Sequence, residues 1–436
     1  MRITWFVVGM SLTTPAWAQA AAPRVLTLAE ALRSAREHQP QLRQAYAGTE
    51  AAYARVDEAR APLLPQVTGS ATYRRATSNF APQPGALPSS FRSTAQTSFA
   101  TVNSYNFGLT ASLLLWDFGQ TRGRWRAAEA SAQSQKASES FTRLGVVFGA
   151  RSGFLSARAQ KDLVKVAREA LANQERHLGQ IQGYVEVGTR PAVDLAQARA
   201  DRANAQVQLI NAENNYAVAK AQLNQAMGIE GDTEYDVADD TVAPIAGEDL
   251  SIDGLMAEAV RARPDILGLD AQIRAQELTL GATRAGYWPT LSASTGVTES
   301  GAELNHLVWN WNATLNLTWQ LYQGGVTRAQ VDEARANLKG LVAQRDALRQ
   351  TLRVSVEQAR LGLRAAKAGL VASEEALTNA RERLKLAEGR YQVGVGNIIE
   401  LGDAQLAYTN AAVQKVQAEY NLANARAQLL QALGRE

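Results

Sequence analysis

Apolar and polar residues along this chain follow two rhythms that alternate in blocks. Between residues 309 and 320 the period is two: Trp309, Trp311, Ala313, Leu315, Leu317 and Trp319 share one face, while Asn310, Asn312, Thr314, Asn316, Thr318 and Gln320 share the other. Successive strand side chains point to opposite sides, so this block predicts a strand with one dry and one wet face. Residues 106–116 predict another, with Phe107, Leu109, Ala111, Leu113 and Leu115 on its apolar face. Residues 67–74 and 291–298, which alternate with Ser and Thr, predict two weaker partner strands. Strands of about 8 to 11 residues are long enough to cross a bilayer at a tilt.

The other rhythm is helical. Val331, Ala334, Leu338, Leu341, Leu348, Leu352, Ala359, Leu363, Ala366, Leu370, Leu377, Ala380, Leu384, Ala387 and Tyr391 recur at three- and four-residue steps, with Arg345, Ser355 and Ser373 in the polar gaps. A single four-four step through Ser355, Ala359 and Leu363 resembles a stutter, which locally unwinds a supercoil. No proline interrupts the run, so at about 1.5 Å per residue it predicts a helix of roughly 90 Å. Residues 121 to about 184 predict the same, and the many alanines on both seams allow close approach in long antiparallel coiled coils. Each run ends in a reversal, Val187-Gly188-Thr189-Arg190-Pro191 or Val393-Gly394-Val395-Gly396-Asn397, after which a helix returns to Gly228 or Gly434.

The blocks occur twice. Pro40 and Pro65 match Pro264 and Pro289 at an offset of 224, whereas Thr121-Arg122, Val187-Gly188 and the run ending in Gly228 match Thr327-Arg328, Val393-Gly394 and the run ending in Gly434 at an offset of 206. One connection is therefore longer in the first copy, and the Pro- and Ser-rich residues 76–104 supply it as an exposed loop. The expected organisation is a leader at 1–18, a first repeat at 19–228, a linker at 229–250 and a second repeat at 251–436. Each repeat holds a short helix, a β-hairpin (about 66–116 and 290–320) and a long helical hairpin (about 120–228 and 326–434).

The leader follows from Arg2, the apolar stretch 3–12 and Ala16-Trp17-Ala18, with cleavage expected after Ala18. No later stretch approaches the roughly 20 apolar residues of a spanning helix. The chain has no Cys, so disulfides, thiolate chemistry and a lipid-bearing Cys are excluded. Its 45 basic and 42 acidic side chains are too balanced to predict a nucleic-acid partner. His38 and His177 are placed on helix surfaces and His306 in a loop, none with a metal-ligand neighbour, and no Gly-x-Ser-x-Gly, Walker or dinucleotide motif occurs. Catalytic, cofactor and metal sites are accordingly predicted to be none.

Four strands cannot close a barrel, and an open sheet edge is forbidden in hydrocarbon because nothing there satisfies the backbone. If these strands span a membrane, the protein must oligomerise. Of the six Trp residues beyond the leader, Trp116, Trp288, Trp309, Trp311 and Trp319 sit in or beside the strands, as aromatic belts at a membrane interface require; only Trp125 stands apart.

The order of elements, with Leu321-Tyr322-Gln323-Gly324-Gly325, the stretch from Tyr391 through Gly394, Asn397, Glu400 and Asp403 to Gln405, and the sister stretch 187–195, resembles the TolC-like outer membrane efflux family over essentially the whole mature chain. The resemblance implies a homotrimer in the outer membrane, in which a twelve-stranded transmembrane β-barrel continues into a periplasmic α-helical barrel of antiparallel coiled coils. It implies a passive exit duct for an efflux pump or type I secretion system, working with a periplasmic adaptor and an inner-membrane pump. The linker at 229–250, with the chain ends, is implied to form a belt around the helices. Glu400 and Asp403, three residues apart, would give carboxylate rings at the periplasmic mouth, with Arg190 and Asp194 pairing with neighbouring tips. Glu400 also suits a helix N-terminus beginning at Asn397. Gly188, Thr189, Gly394 and Gly396 are the implied adaptor-docking tips, although Pro191 replaces a hydroxyl residue of the commonest pattern and Gly396 stands where the sister tip has Arg190. A periplasmic coiled-coil adaptor is the alternative reading, and two helical hairpins instead of one weigh against it.

Overall fold

The computed structural model describes residues 24–77 and 99–436; the predicted leader and most of the predicted 76–104 loop lie outside the described residues. The chain begins with a three-residue strand β1 (Arg24–Leu26) and then α1 (Leu28–His38). Thr27 opens α1 with a reciprocal capping box, accepting from Glu30 N at 3.3 Å while its own N–H donates to Glu30 Oε2 at 3.2 Å. Gln39 is extended and α2 (Pro40–Arg60) starts at the proline. Further along, α5 (Ile252–Ala262), the extended Arg263 and α6 (Pro264–Ala285) repeat that design. Each expected single short helix is thus two, because the ring of proline denies helical geometry to the residue before it and suits the first turn of the next helix.

β2 (Gln66–Thr77), β3 (Thr101–Trp116), β5 (Thr290–Gly301) and β6 (Val308–Thr318) form one antiparallel sheet in the order β2-β3-β5-β6. β2, β3 and β5 exceed their alternating segments by several residues, since backbone pairing continues toward the turns where side-chain contrast has faded, whereas β6 stops at Thr318, short of the alternating Trp319 and Gln320. A short β4 (Tyr235–Val237) inside the linker pairs in parallel with β1, a contact too brief to leave a periodic signal. Tyr216 donates to Asp236 at 2.6 Å and Lys161 pairs with the same carboxylate at 2.8 Å, which fastens β4 to the helices beneath.

The long hairpins are α3 (Gln120–Glu186) with α4 (Ala192–Met227), and α7 (Val326–Gln392) with α8 (Ile398–Leu433). All fifteen residues of the predicted apolar ladder in α7 are buried or half-buried. At the stutter the deepest side chain is Val356, fully buried one position beyond Ser355, where the changed phase turns a neighbouring residue inward. Both return helices end on a left-handed glycine, Gly228 at φ 73° and Gly434 at φ 79°.

The chain divides into two compact units. One comprises residues 43–142 and 253–355; it holds the four-stranded sheet and a small core of Leu280, Val331, Ala334 and Leu338. In it α3 and α6 approach closely at Gly123, where a Cβ would lie 3.0 Å from that of Ala282. The other comprises the chain up to Leu42, 143–252 and 356–436. Its packing includes Phe154, Leu223, Met227 and Val237 beneath the short β1–β4 pair, and Ile181, Leu384, Tyr391 and Leu401 where the two hairpins turn.

Candidate functional site

Register sorts the four-stranded sheet into two faces. One side carries the cross-strand rows Ala71, Phe107, Glu299, Trp309 and Gly69, Leu109, Val297, Trp311; the other carries Ser70, Gly108, Thr298, Asn310 and Thr68, Thr110, Gly296, Asn312. Among the described residues nothing covers the apolar side: Trp309, Leu315 and Leu317 are 69%, 67% and 65% exposed. An open apolar face of this extent fits lipid or a partner and not water.

The five predicted interfacial tryptophans all lie exposed and gather toward the two ends of this face. At the end nearest the helices, Phe118 (φ 54°, left-handed) stacks on Trp288 at 5.3 Å and meets Trp116 edge-on at 6.0 Å, while Trp319 Nε1 donates to the Tyr287 carbonyl at 3.1 Å. Trp309 and Trp311 lie toward the opposite end, Trp311 Nε1 donating to Thr295 Oγ1 at 3.0 Å. Ten residues separate Trp309 from Trp319, which at ~3.4 Å per residue and a ~40° tilt gives about 26 Å, the height of a barrel's apolar band. A bulge between Leu114 and Trp116 sets Trp116 opposite Leu291 and so returns it to the apolar face; strict alternation from Leu113 would have sent it to the wet one. Among the described residues the outer strands β2 and β6 each have one unpaired ladder.

The hairpin tips form the second arrangement. Gly188 (φ 76°) and Gly394 (φ 85°) supply left-handed turns, each with open space where a Cβ would stand. Thr189 N and Oγ1 both donate to the Tyr184 carbonyl at 2.9 Å, and Val395 N and Gly396 N donate to the Arg390 carbonyl at 3.1 and 3.0 Å. Gly396 is buried against Arg390 and Tyr391, where a Cβ would come within 3.0 Å of Tyr391 N. Arg190 crosses to this sister tip: its guanidinium lies 4.6 Å from the Tyr391 ring centroid, and Nη2 donates to the Gly396 carbonyl at 3.4 Å. The Tyr391 ring is buried, and its hydroxyl has no hydrogen-bond partner among the described residues. Burial pushes that hydroxyl's pKa up, Arg190 pulls it down, and the net shift is upward.

The four predicted gate residues separate into two settings. Asp194, buried, and Asp403, exposed, line one groove of about 640 Å³ between α4 and α8, together with Asp201, Gln197 and Gln405. Glu400 turns away to Arg390 of its own hairpin, with Oε1 3.1 Å from Nη1. The Asn397 side chain accepts the Glu400 N–H at 2.7 Å, so Asn397 does cap α8, but Glu400 is not drawn back to complete a box.

A family model for outer membrane efflux proteins matches residues 31–229 and 255–435. The chain belongs to that family. Among relatives, it is 25% identical over 342 residues to the toluene efflux pump outer membrane protein TtgF of Pseudomonas putida, covering 76% of this chain and 69% of that one. It is 28% identical over 422 residues to protein CyaE of Bordetella pertussis, covering 92% and 85%. The fold is shared with the CmeC outer membrane channel of Campylobacter jejuni (TM-score 0.80, 18% identity, 99% and 94% covered) and with VceC of Vibrio cholerae (TM-score 0.79, 18% identity, 94% and 96% covered). As an outer membrane efflux protein the chain is a channel subunit of the outer membrane with a large periplasmic helical part, and not an enzyme.

Two polar groups of this efflux protein escaped sequence reasoning. Glu248, in the linker, is buried against Lys367 of α7 (2.7 Å), Arg426 of α8 (3.4 Å) and the backbone N–H of Ile245 (3.0 Å). His177, expected on a helix surface, has a side chain only 12% exposed, its Nε2 3.6 Å from Glu388 of α7 and its Nδ1 shielded from solvent. Neither contact is periodic; each joins segments more than a hundred residues apart, and no local signal marks it.

Proposed function

We propose that three copies of this chain assemble as a homotrimer whose twelve strands close a barrel in the outer-membrane lipid, forming the exit duct of a pump that also comprises a periplasmic adaptor and an inner-membrane transporter. The observation that carries this reading is the two-faced sheet with unpaired outer strands: in hydrocarbon each open ladder must find a partner, and another copy's β2 beside β6 supplies it. Known single-chain barrels begin at about eight strands, so two copies are the minimum and three give a pore with room for cargo. The repeated order of helix pair, β-hairpin and helical hairpin supports a duplicated half-unit at 19–228 and 251–436 joined by 229–250.

In this assembly the tips form the periplasmic gate. Arg190 locks each chain's two hairpins together through the Tyr391 ring, Glu400 braces its own hairpin through Arg390, and Asp194 and Asp403 face the groove between α4 and α8. Gly188, Thr189, Gly394 and Gly396 form the surface on which an adaptor docks, and docking opens the tips. Purification from outer membranes should give a trimer by light scattering, with small conductance in planar bilayers. Arg190→Ala should raise that conductance severalfold by freeing one hairpin from the other. A water-soluble monomer, or unchanged conductance in Arg190→Ala, would refute the barrel or the lock respectively.

A further inference from the structure

The wet face of the sheet is nearly free of formal charge, and one residue breaks the rule. Three charged side chains lie within the four strands: Arg74, Arg75 and Glu299. Glu299 sits between Phe107 and Trp309 in the register, on the apolar side. Arg75 also points to that side, following Tyr73 and Ala71, and its Nε donates to Thr101 Oγ1 at 2.8 Å. Arg74 continues the opposite row of Thr68, Ser70 and Thr72, directly across from Ser104. Among the described strand residues it is therefore the sole formal charge on the wet face. The chain has no acidic residue between Glu58 and Asp117, so neither this hairpin nor the segment joining its strands holds a carboxylate. Glu303 is the nearest acid beyond the second hairpin's strands, exposed in the turn between β5 and β6.

We propose that Arg74 forms an anion-binding ring in the pore, near the end of the barrel where the strand-connecting loops lie, and that its ligands are multivalent phosphate-type anions. The inference rests on the assembled barrel proposed above, in which cyclic symmetry repeats the residue once per chain. A guanidinium is charged at every relevant pH and offers a planar fork that matches phosphate oxygens. Several of them around one water-filled lumen, otherwise lined by amides and hydroxyls, add their fields. A Debye length of about 8 Å at physiological salt leaves that field effective at the wall and across part of the lumen. The position is three residues from the end of β2, so an anion arriving from the loop side meets this charge before the rest of the wet face.

Tripolyphosphate added to one or the other side of single channels in a planar bilayer tests this. Wild-type channels should be blocked from one side only. Arg74→Gln should weaken the block by about tenfold or more and shift the reversal potential in a KCl gradient toward cation preference, whereas Arg74→Lys should retain most of both effects. Conducting trimers whose tripolyphosphate block is unchanged by Arg74→Gln, or wild-type channels insensitive from both sides, would overturn the ring while leaving the barrel intact. Failure of the wild-type protein to form conducting oligomers would overturn the barrel and the ring together.

Discussion

Glu248 ties the linker to both helices of the second long hairpin with a single carboxylate. Burial opposes its charge, and hydrogen bonds from Lys367 and the Ile245 N–H with the field of Arg426 outweigh that cost, so its pKa lies below the usual glutamate value of 4.5. Its stabilising effect is present above that value and is lost as pH falls through the depressed one. Glu248→Ala should cost about 2–3 kcal/mol, because Lys367 is left with only the exposed Asp249 and Arg426 with the Val242 carbonyl, and should flatten the acid limb of a thermal-unfolding series. His177 behaves in the opposite chemical sense. Burial disfavours its imidazolium more than Glu388 favours it, and its pKa falls below the ordinary 6.5. The unfolded chain therefore takes up a proton more readily, and the helical packing should weaken as pH drops through 6.5 toward the lower folded value. Melting temperatures of wild type and His177→Gln should diverge below neutral pH, with the wild type losing more. Asp403 and Asp194 were legible as tip acids from their spacing to the reversals. The pairing of Arg190 with Tyr391 was not, since it depends on how the hairpins cross, and neither was that of Glu400 with Arg390, which depends on how one hairpin closes at its turn.

At the scale of elements, punctuation residues do most of the specifying. Gln39 precedes Pro40 and is therefore extended, which frees its side chain to donate to the Gln225 and Ala226 carbonyls at 3.2 and 3.1 Å and so close the end of α4. Gly228 lies against the same segment: at φ 73° a Cβ there would stand 2.6 Å from Gln39 Cα. Gly228→Ala should cost about 2 kcal/mol or more, combining left-handed strain with a backbone clash, and a denaturant melt on the detergent-solubilised protein would register it. An equal midpoint would mean that this end of the helix is loose. The helices and main strands were readable because burial on one side imposes a period of 3.6 or 2 over many residues. The proline breaks were readable in principle from the local rule for residues before proline, yet the matched prolines served only as repeat markers. The β1–β4 pair and the Trp116 bulge had no such sign, the first being three residues long and the second a single-residue change of phase.

At the scale of the whole molecule, the two faces of the sheet make a paired prediction. Leu315 lies mid-strand on the apolar face and Asn316 beside it on the wet face. Leu315→Arg should destabilise the barrel by about 2–4 kcal/mol if it sits near the bilayer midplane, and deplete the protein from outer-membrane fractions; Asn316→Arg should leave its yield almost unchanged. Equal effects would contradict a barrel with lipid outside and water within. Alternation, duplication and the length of the helical runs, with the family resemblance they carry, were enough to point to an outer-membrane channel, because each is a one-dimensional property that a bilayer or a coiled coil imposes along the chain. Which charges pair, which histidine is shielded and where a ladder slips are different in kind. They depend on distances between segments far apart in sequence, and a linear pattern carries no measure of those distances until the chain has folded.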